Sequence, residues 1–383
     1  MGGEGRAGGG QGKWRIPMVD LAAEYAEVGE AVEEAALRVL RSRRYLLGPE
    51  TAAFEAEMAR LVGVREAVGV GSGTQSLFLA LRACGVGAGD EVLTSPFTFF
   101  ATVEAILLAG ATPVFADIER GGFNIDAEAL DARVSRRTRA VVPVHLFGRC
   151  ADMSRICAFA DSRRLPVIED AAQALGATRD GRPAGAWGRA AGFSFYPSKN
   201  LGAVGDAGCI TTEDPDLAER LRRLRNHGQD PGGPHLLAGA TARIDELQAA
   251  VLRAKLPYLK HWNDRRARNA ACYLRQLADC PDVALPAPGS EETAVWSEFT
   301  LRSPRAETIR RALADAGIEC RHFYPRPVYE EPAFPRSATR AGELRCPEAE
   351  RACAEAVSVP VHAGLPVAAI EQVCEVIRTT LLR

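Results

Sequence analysis

The 383-residue chain predicts an α/β protein. A larger domain holds a mostly parallel sheet flanked by helices, and a smaller α/β domain follows it. Three observations carry this. Short β-rich runs alternate with helix-period stretches from about residue 67 to residue 168, the pattern of βαβ units with both sheet faces covered. A Gly-rich turn, Gly71-Ser-Gly-Thr-Gln75, joins one such run to the next helix. After Trp262 the texture changes to helix, Pro-rich loop, strand and helix. A chain of this length is most simply two domains. The expected division is a disordered tail at 1–13, a large domain at 14–265 and a small domain at 266–383, with the N-terminal segment packing on the small domain.

In order, Ile16–Val19 is a short extended piece and Val28–Leu40 has helical period. Glu50–Leu61 reads as an amphipathic helix. Ala67–Val70 is an apolar run, and the turn after it opens a helix reaching Cys84. Glu91–Thr94 is a strand, followed by a helix around Thr102–Ala109. Thr112–Ala116 and Ala140–Val144 are β-rich, Met153–Ser162 is helical and Pro166–Ile168 is a strand. Phe193-Ser-Phe195 ends a buried strand, which Pro197 prevents from continuing. Asp214–Asn226 and Ile244–Leu259 are long helices. Beyond them come a helix at Ala270–Leu277, a loop at Asp279–Thr293 and a strand at Glu298–Leu301. A helix at Ala306–Ala316, an extended piece at Glu319–Tyr324 and helices at Ala349–Val357 and Val367–Leu382 complete the chain.

Composition excludes several function classes. A formal charge of −2 gives nucleic acid or an anionic membrane nothing to attract it. No apolar run approaches the ~20 residues of a membrane helix. The Gly-rich start has no apolar core of a secretion signal. The ten cysteines form no close pairs of zinc spacing and the six histidines show no metal spacing. Buried free thiols in a reducing cytoplasm, with no metal, are the expectation.

The chemistry centres on Gly192-Phe-Ser-Phe-Tyr-Pro-Ser-Lys-Asn-Leu-Gly202. Lys199 sits on a bend among aromatic and small residues, where lost hydration lowers its pKa and frees an amine for a Schiff base with a carbonyl cofactor. A lone lysine on a loop is far more often a surface residue, and it is the flanking residues and the upstream Glu169-Asp-Ala-Ala-Gln173 that favour the chemical reading. Gly71-Ser72-Gly73-Thr74 offers helix-start N–H groups to a phosphate; alone it is also an ordinary tight turn, and it lacks full dinucleotide spacing. Phe99, at the start of the next helix, suits stacking on a planar ring or a place in the core. Asp170 ends a buried strand, where parallel sheets bind ligands, and would pair with a protonated pyridine nitrogen. It also suits a helix cap, worth about 1 kcal/mol. Gln173 could donate to a ring oxygen.

Together these pieces resemble the pyridoxal-phosphate sugar aminotransferases of the DegT/DnrJ type, within the fold-type-I aminotransferase group. The markers run nearly the whole chain: Gly71-Ser-Gly-Thr74, Gly89-Asp-Glu-Val92, Pro143-Val-His-Leu146, Glu169-Asp-Ala-Ala-Gln173, the Lys199 block, Arg225-Asn-His-Gly228 and Asp245-Glu-Leu-Gln-Ala-Ala250. The resemblance implies that Lys199 holds the cofactor as a Schiff base and Asp170 pairs with its pyridine nitrogen. Gln173 meets the ring hydroxyl and Phe99 stacks on the ring. Ser72, Gly73, Thr74 and Ser194 hold the phosphate. It further implies a homodimer with shared sites, in which Thr241 of one subunit reaches the phosphate bound by the other. Relatives commonly carry Asn-Ser-Arg where this chain has Thr241-Ala-Arg243, and often His where it has Tyr329.

The implied reaction moves an amino group from an amino acid, by analogy L-glutamate, to a keto-sugar linked to a nucleotide. The cofactor alternates between pyridoxal 5'-phosphate and pyridoxamine 5'-phosphate. The alternatives are the same chemistry on a keto-cyclitol or aminoglycoside precursor, and a cofactor-binding regulator without turnover.

Overall fold

The computed structural model describes residues 14–335 and 345–382; the expected disordered tail at 1–13 lies outside them. The first elements are α1 (Leu21–Ser42), α2 (Pro49–Val62), β1 (Glu66–Val70), α3 (Gly73–Ala83), β2 (Glu91–Thr94), α4 (Phe100–Leu108), β3 (Thr112–Phe115), β4 (Thr138–Val142), α5 (Met153–Ser162) and β5 (Ile168–Asp170). The short strands β6 (Thr178–Arg179) and β7 (Arg182–Pro183) follow, then β8 (Ala190–Ser194), β9 (Gly208–Thr212), α6 (Pro215–Leu224), α7 (Glu246–Lys255) and α8 (Leu259–Gln276). The C-terminal part contains β10 (Glu292–Thr293), β11 (Phe299–Arg302), α9 (Ala306–Asp315), α10 (Pro347–Glu355), β12 (Ala356–Val359) and α11 (Val367–Leu381).

The central sheet is read as β3-β2-β4 and β5-β8-β9-β1, joined by parallel bridges Val141–Val167 and Val144–Asp170. Its pairings are parallel except that β9 runs antiparallel to both β8 and β1. The antiparallel strand follows from the Lys199 loop. Chain leaving β8 turns over residues 195–207 and returns beside the same strand, a connection without a crossover helix. β1, β2, β4 and β5 are buried almost throughout, as a sheet with both faces covered requires.

Helix ends follow local chemistry. Asp20 accepts from the Ala23 N–H at the start of α1, and Asp152 and Asp214 cap α5 and α6 in the same way. Gly63 closes α2 in the left-handed conformation, φ 77°.

Helix α8 passes unbroken through the region where the texture of the sequence changes. Its Leu259 and Trp262 join the core under β8 and β9, whereas Ala270, Tyr273 and Leu277 join a second core with β11, α9 and α11. Ile16 packs in that second core. The helix expected over Ala349–Val357 stops at Glu355. Ala356–Val359 instead pairs antiparallel with β11, because Val357 and Val359 are β-branched and gain a partner strand there.

Candidate active site

The site lies at the carboxyl ends of β5 and β8, beside the start of α3. Three segments far apart in sequence meet closely there. A Cβ added to Gly73 would lie 2.6 Å from the Ser194 Cβ, and one added to Gly208 would lie 2.4 Å from the Ser72 carbonyl oxygen. Only glycine permits either approach. Ser72 caps α3, its Oγ accepting from the Gln75 N–H at 3.2 Å. The N-terminal N–H groups of α3 and the Ser194 hydroxyl therefore share one small concavity suited to an anion.

Asp170 is held rigidly. Its N–H donates to the Pro143 carbonyl at 2.9 Å, and its carbonyl accepts from the His145 N–H at 3.0 Å. The Thr102 hydroxyl donates to Oδ2 at 2.7 Å and the Ala172 N–H to Oδ1 at 3.2 Å. Burial pushes the carboxyl's pKa up. The Thr102 and Ala172 hydrogen bonds and the positive charge of Lys199 pull it back. Each oxygen keeps a lone pair for a further donor.

Its neighbour Glu169 has a different task. Glu169 is fully buried and accepts from the N–H groups of Gly185, Trp187 and Gly188 at 2.7–2.8 Å. His145 completes the set. The Ala151 N–H donates to its Nδ1, so Nε2 carries the proton and donates to Glu169 at 2.9 Å. Glu169 thus anchors the 185–188 loop and leaves Asp170 as the carboxylate facing the site.

Lys199 is half-buried on a turn closed by its N–H to the Tyr196 carbonyl, 2.8 Å. A Cβ on Gly202 would strike the Pro197 carbonyl at 2.3 Å, so glycine is needed to fold this bend. Asn200 ties the bend to α8 and the C-terminal part, donating to Asn263 at 2.8 Å and to the Val295 carbonyl at 2.9 Å. Burial lowers the lysine's pKa, with Asp170 and Glu298 opposing. The amine is therefore easier to deprotonate than a solvated one.

Gln173 accepts from the Phe147 N–H at 2.6 Å, and its NH2 donates one hydrogen to the Tyr324 hydroxyl, which leaves the second to give. Phe99 is 62% exposed at the start of α4, a wide-open ring face rather than a core aromatic. Thr74 is half-buried in the first turn of α3. Thr241 lies at the edge of this constellation, its carbonyl accepting from the Gln75 side chain in the first turn of α3 at 3.4 Å. Its hydroxyl lies 3.0 Å from His227 Nε2 in its own chain. Tyr329 is committed elsewhere as well, donating to Glu350 at 2.9 Å and packing on Phe115.

Four residues enter the site without having been singled out as chemistry in the sequence: Thr102, Tyr324, Glu298 and Arg266. Thr102 carried a detectable signal, since Thr98 and Thr102 are four apart at a helix start and share one face. The other three come from segments more than 60 residues beyond Lys199. Tyr324, which meets Asp170, Glu298 and Gln173, opens the Tyr324-Pro-Arg-Pro-Val-Tyr329 stretch that resembles a substrate-side loop of the family, whereas no local pattern marks Glu298 or Arg266.

An α/β sheet with a buried carboxylate at one strand end, a desolvated lysine on the next loop and an anion cradle between them defines a pyridoxal-phosphate-dependent transferase of fold type I. Residues 26–378 match the model of the DegT/DnrJ/EryC1/StrS aminotransferase family, and the chain belongs to it. It is 44% identical over 347 residues to dTDP-3-amino-3,4,6-trideoxy-alpha-D-glucose transaminase of Streptomyces venezuelae, covering 91% of both chains. It is 41% identical to a pleiotropic regulatory protein of Geobacillus stearothermophilus, over 91% of this chain and 94% of that one. The crystal structure of S. venezuelae DesV in complex with a ketimine intermediate superposes with a TM-score of 0.93 at 42% identity, covering 96% of this chain and 99% of that one.

Proposed function

We propose that this enzyme transfers the amino group of an amino acid, L-glutamate, to a keto-sugar carried on a nucleoside diphosphate. The observation that carries the reading is the convergence of Lys199, Asp170 and the Ser72–Ser194 cradle on one concavity. The name of the S. venezuelae relative supports the nucleotide-linked sugar.

The residues present fit pyridoxal phosphate. The close approach of Gly73 to Ser194 leaves a cradle without side-chain bulk, lined by Ser72, Gly73, Thr74 and Ser194, for its phosphate. Asp170 offers an acceptor to its pyridine nitrogen, and the Gln173 amide, beside Tyr324, has one hydrogen left for its ring hydroxyl. Phe99 presents an open face for its ring, and the Lys199 amine suits its aldehyde. When bound, the cofactor supplies an aldehyde and an electron-poor ring that withdraws charge from a reacting carbon. Asp170, fixed by Thr102, keeps the ring nitrogen protonated. Lys199, with its lowered proton affinity, takes and returns a proton at its Nζ. The Asn200 anchor holds that amine in place while it does so.

The protein works as a homodimer in this reading. Leu37, Leu40, Tyr45, Leu46 and Leu47 are all exposed along the end of α1 and the segment after it, an apolar run that a second copy would cover. Thr241 of one subunit contacts the phosphate of the other. The reducing cytoplasm is its location, in keeping with ten free cysteines. No helix among the described residues is long and apolar enough to cross a membrane.

The test is purified enzyme with L-glutamate against 3-keto and 4-keto nucleotide sugars and keto-cyclitols. Formation of 2-oxoglutarate together with an aminated nucleotide sugar, identified by mass and NMR, is expected. Amination of the cyclitol alone would overturn the substrate assignment, and no amination with any acceptor would overturn the activity.

A further inference from the structure

A cleft beside Lys199 is closed on its far side by α1, α8 and the loop between β12 and α11. Two basic side chains line it, Arg266 from α8 and His362 from the loop. Both are more than nine-tenths buried, at 9% and 6% exposure. Both are incompletely satisfied. Arg266 donates through Nη1 to the Trp296 carbonyl at 3.3 Å and weakly to that of Ser297 at 3.5 Å, while its Nε has no partner. Neither ring nitrogen of His362 makes a hydrogen bond of good geometry, although the Pro17 carbonyl lies near enough to influence it.

A guanidinium removed from water normally has a carboxylate against it, because an unpaired buried charge is strongly unfavourable. Arg266 has none within ion-pair distance among the described residues. Glu298 and Glu24 act on it only from farther away. The acids lining the same cleft are engaged: Asp20 caps α1, Glu24 pairs with Lys255, and Glu27 accepts from Trp262 and pairs with Arg265. Among the buried basic groups of the cleft, Arg266 and His362 keep donor capacity that no acid takes up. Burial, and then the charge of Arg266, lower the His362 pKa to about 4, so at neutral pH the ring is uncharged with one N–H to give. The backbone holding it is firm: the Asn269 amide donates to the His362 carbonyl at 2.9 Å and the Tyr273 hydroxyl to the Pro360 carbonyl at 2.8 Å.

We propose that Arg266 and His362 form the subsite that holds a carboxylate of the amino-acid donor beside Lys199. A charged fork and a neutral N–H, with no free acid between them, match one carboxylate. The proposal rests on the aminotransferase reading above and adds the residues that recognise the donor.

The test uses cofactor-loaded enzyme and the variants Arg266→Met and His362→Phe. Loss of cofactor absorbance is followed with glutamate and, separately, with the aminated nucleotide sugar, an amino donor without a carboxylate. Each variant is expected to raise the half-saturating glutamate concentration tenfold or more, with a loss toward the amino sugar at least tenfold smaller. Calorimetric titration with glutarate, which cannot react, should show binding to the wild-type chain and its loss in both variants. Unchanged glutamate saturation in both, or equal losses toward both donors, would overturn the subsite and leave Arg266 as a brace for residues 296–297. If Arg266→Met fails to fold, His362→Phe carries the test by the same criteria. If glutamate fails to bleach the wild-type enzyme, the donor assignment falls, and the glutarate titration alone judges the subsite.

Discussion

The Thr102 hydroxyl donates to the Asp170 carboxylate at 2.7 Å, and Thr98 lies 2.9 Å from the same hydroxyl. Thr102 has one proton and gives it to Asp170, so Thr98 is the donor in the second bond. The pair fixes the carboxylate from the helix that also presents Phe99. Asp170→Asn should keep the fold and lower kcat by about a hundredfold or more, the size of effect seen when a charge-matched contact to the reacting system is lost. Thr102→Val removes a bond to a charged acceptor, worth roughly 1.5–3 kcal/mol. That bond lowers the Asp170 pKa, so its loss should move the acidic limb of the pH–activity profile upward. A profile that stays in place would show that Thr102 only fills space.

Borohydride reduction of the loaded enzyme should fix the cofactor on Lys199, whose pKa burial has lowered. Lys255 and Lys260 are poor competitors. Lys255 donates to the Gly202 carbonyl and pairs with Glu24, and Lys260 pairs with Asp264. Peptide mapping checks the assignment, and label on any other lysine refutes it.

Glu298 gives the cofactor-free protein a pH-dependent stability. Burial raises its carboxyl from 4.5 to about 7, against the pull of Arg266 and Lys199. Between those values the folded chain keeps a proton that the unfolded chain has released. Stability from this group therefore falls as pH rises through that window, and the full penalty is present above it. Glu298→Gln cannot ionise. It should be more stable than wild type at pH 8 by an amount on the order of 1–3 kcal/mol, with the gap closing toward pH 5. Denaturant titrations at the two pH values measure it, and parallel curves would contradict the assignment.

Thr241→Val tests the contact proposed across the dimer. In its own chain the hydroxyl is 3.0 Å from His227 Nε2. If the imidazole is the donor in that pair, the hydroxyl proton remains free for a phosphate. The variant should then release pyridoxamine phosphate on the order of ten- to a hundredfold more readily. Equal dissociation constants with an unchanged oligomer would show that Thr241 serves only His227.

Sedimentation of the wild-type protein should give a dimer or a multiple of it. Leu40→Glu combined with Leu47→Glu should shift it toward monomer, since each places a charge in an apolar contact. A dimer of undiminished affinity would place the interface elsewhere.

The sequence alone determined the α/β alternation, the strand-end position of Asp170 and the bend that carries Lys199. Each depends on neighbours within about ten residues: a period, a proline, a glycine that a tight turn requires. Helix α10 shows where such local signals fail. Ala349–Val357 has the apolar spacing of one helix, yet the final turn is drawn into a strand by β11, some 55 residues earlier. Pairing of that kind leaves no mark within a short window.

Tertiary structure alone decided the rest of the site. It set Thr102 against Asp170, used Glu169 as a buried anchor rather than a second catalytic acid, and placed Glu298, Arg266 and His362 around Lys199. The reason is electrostatic. A carboxylate, guanidinium or imidazole takes its properties from the charges, dipoles and water within a few ångströms, and chain folding brings those neighbours in from anywhere along the sequence.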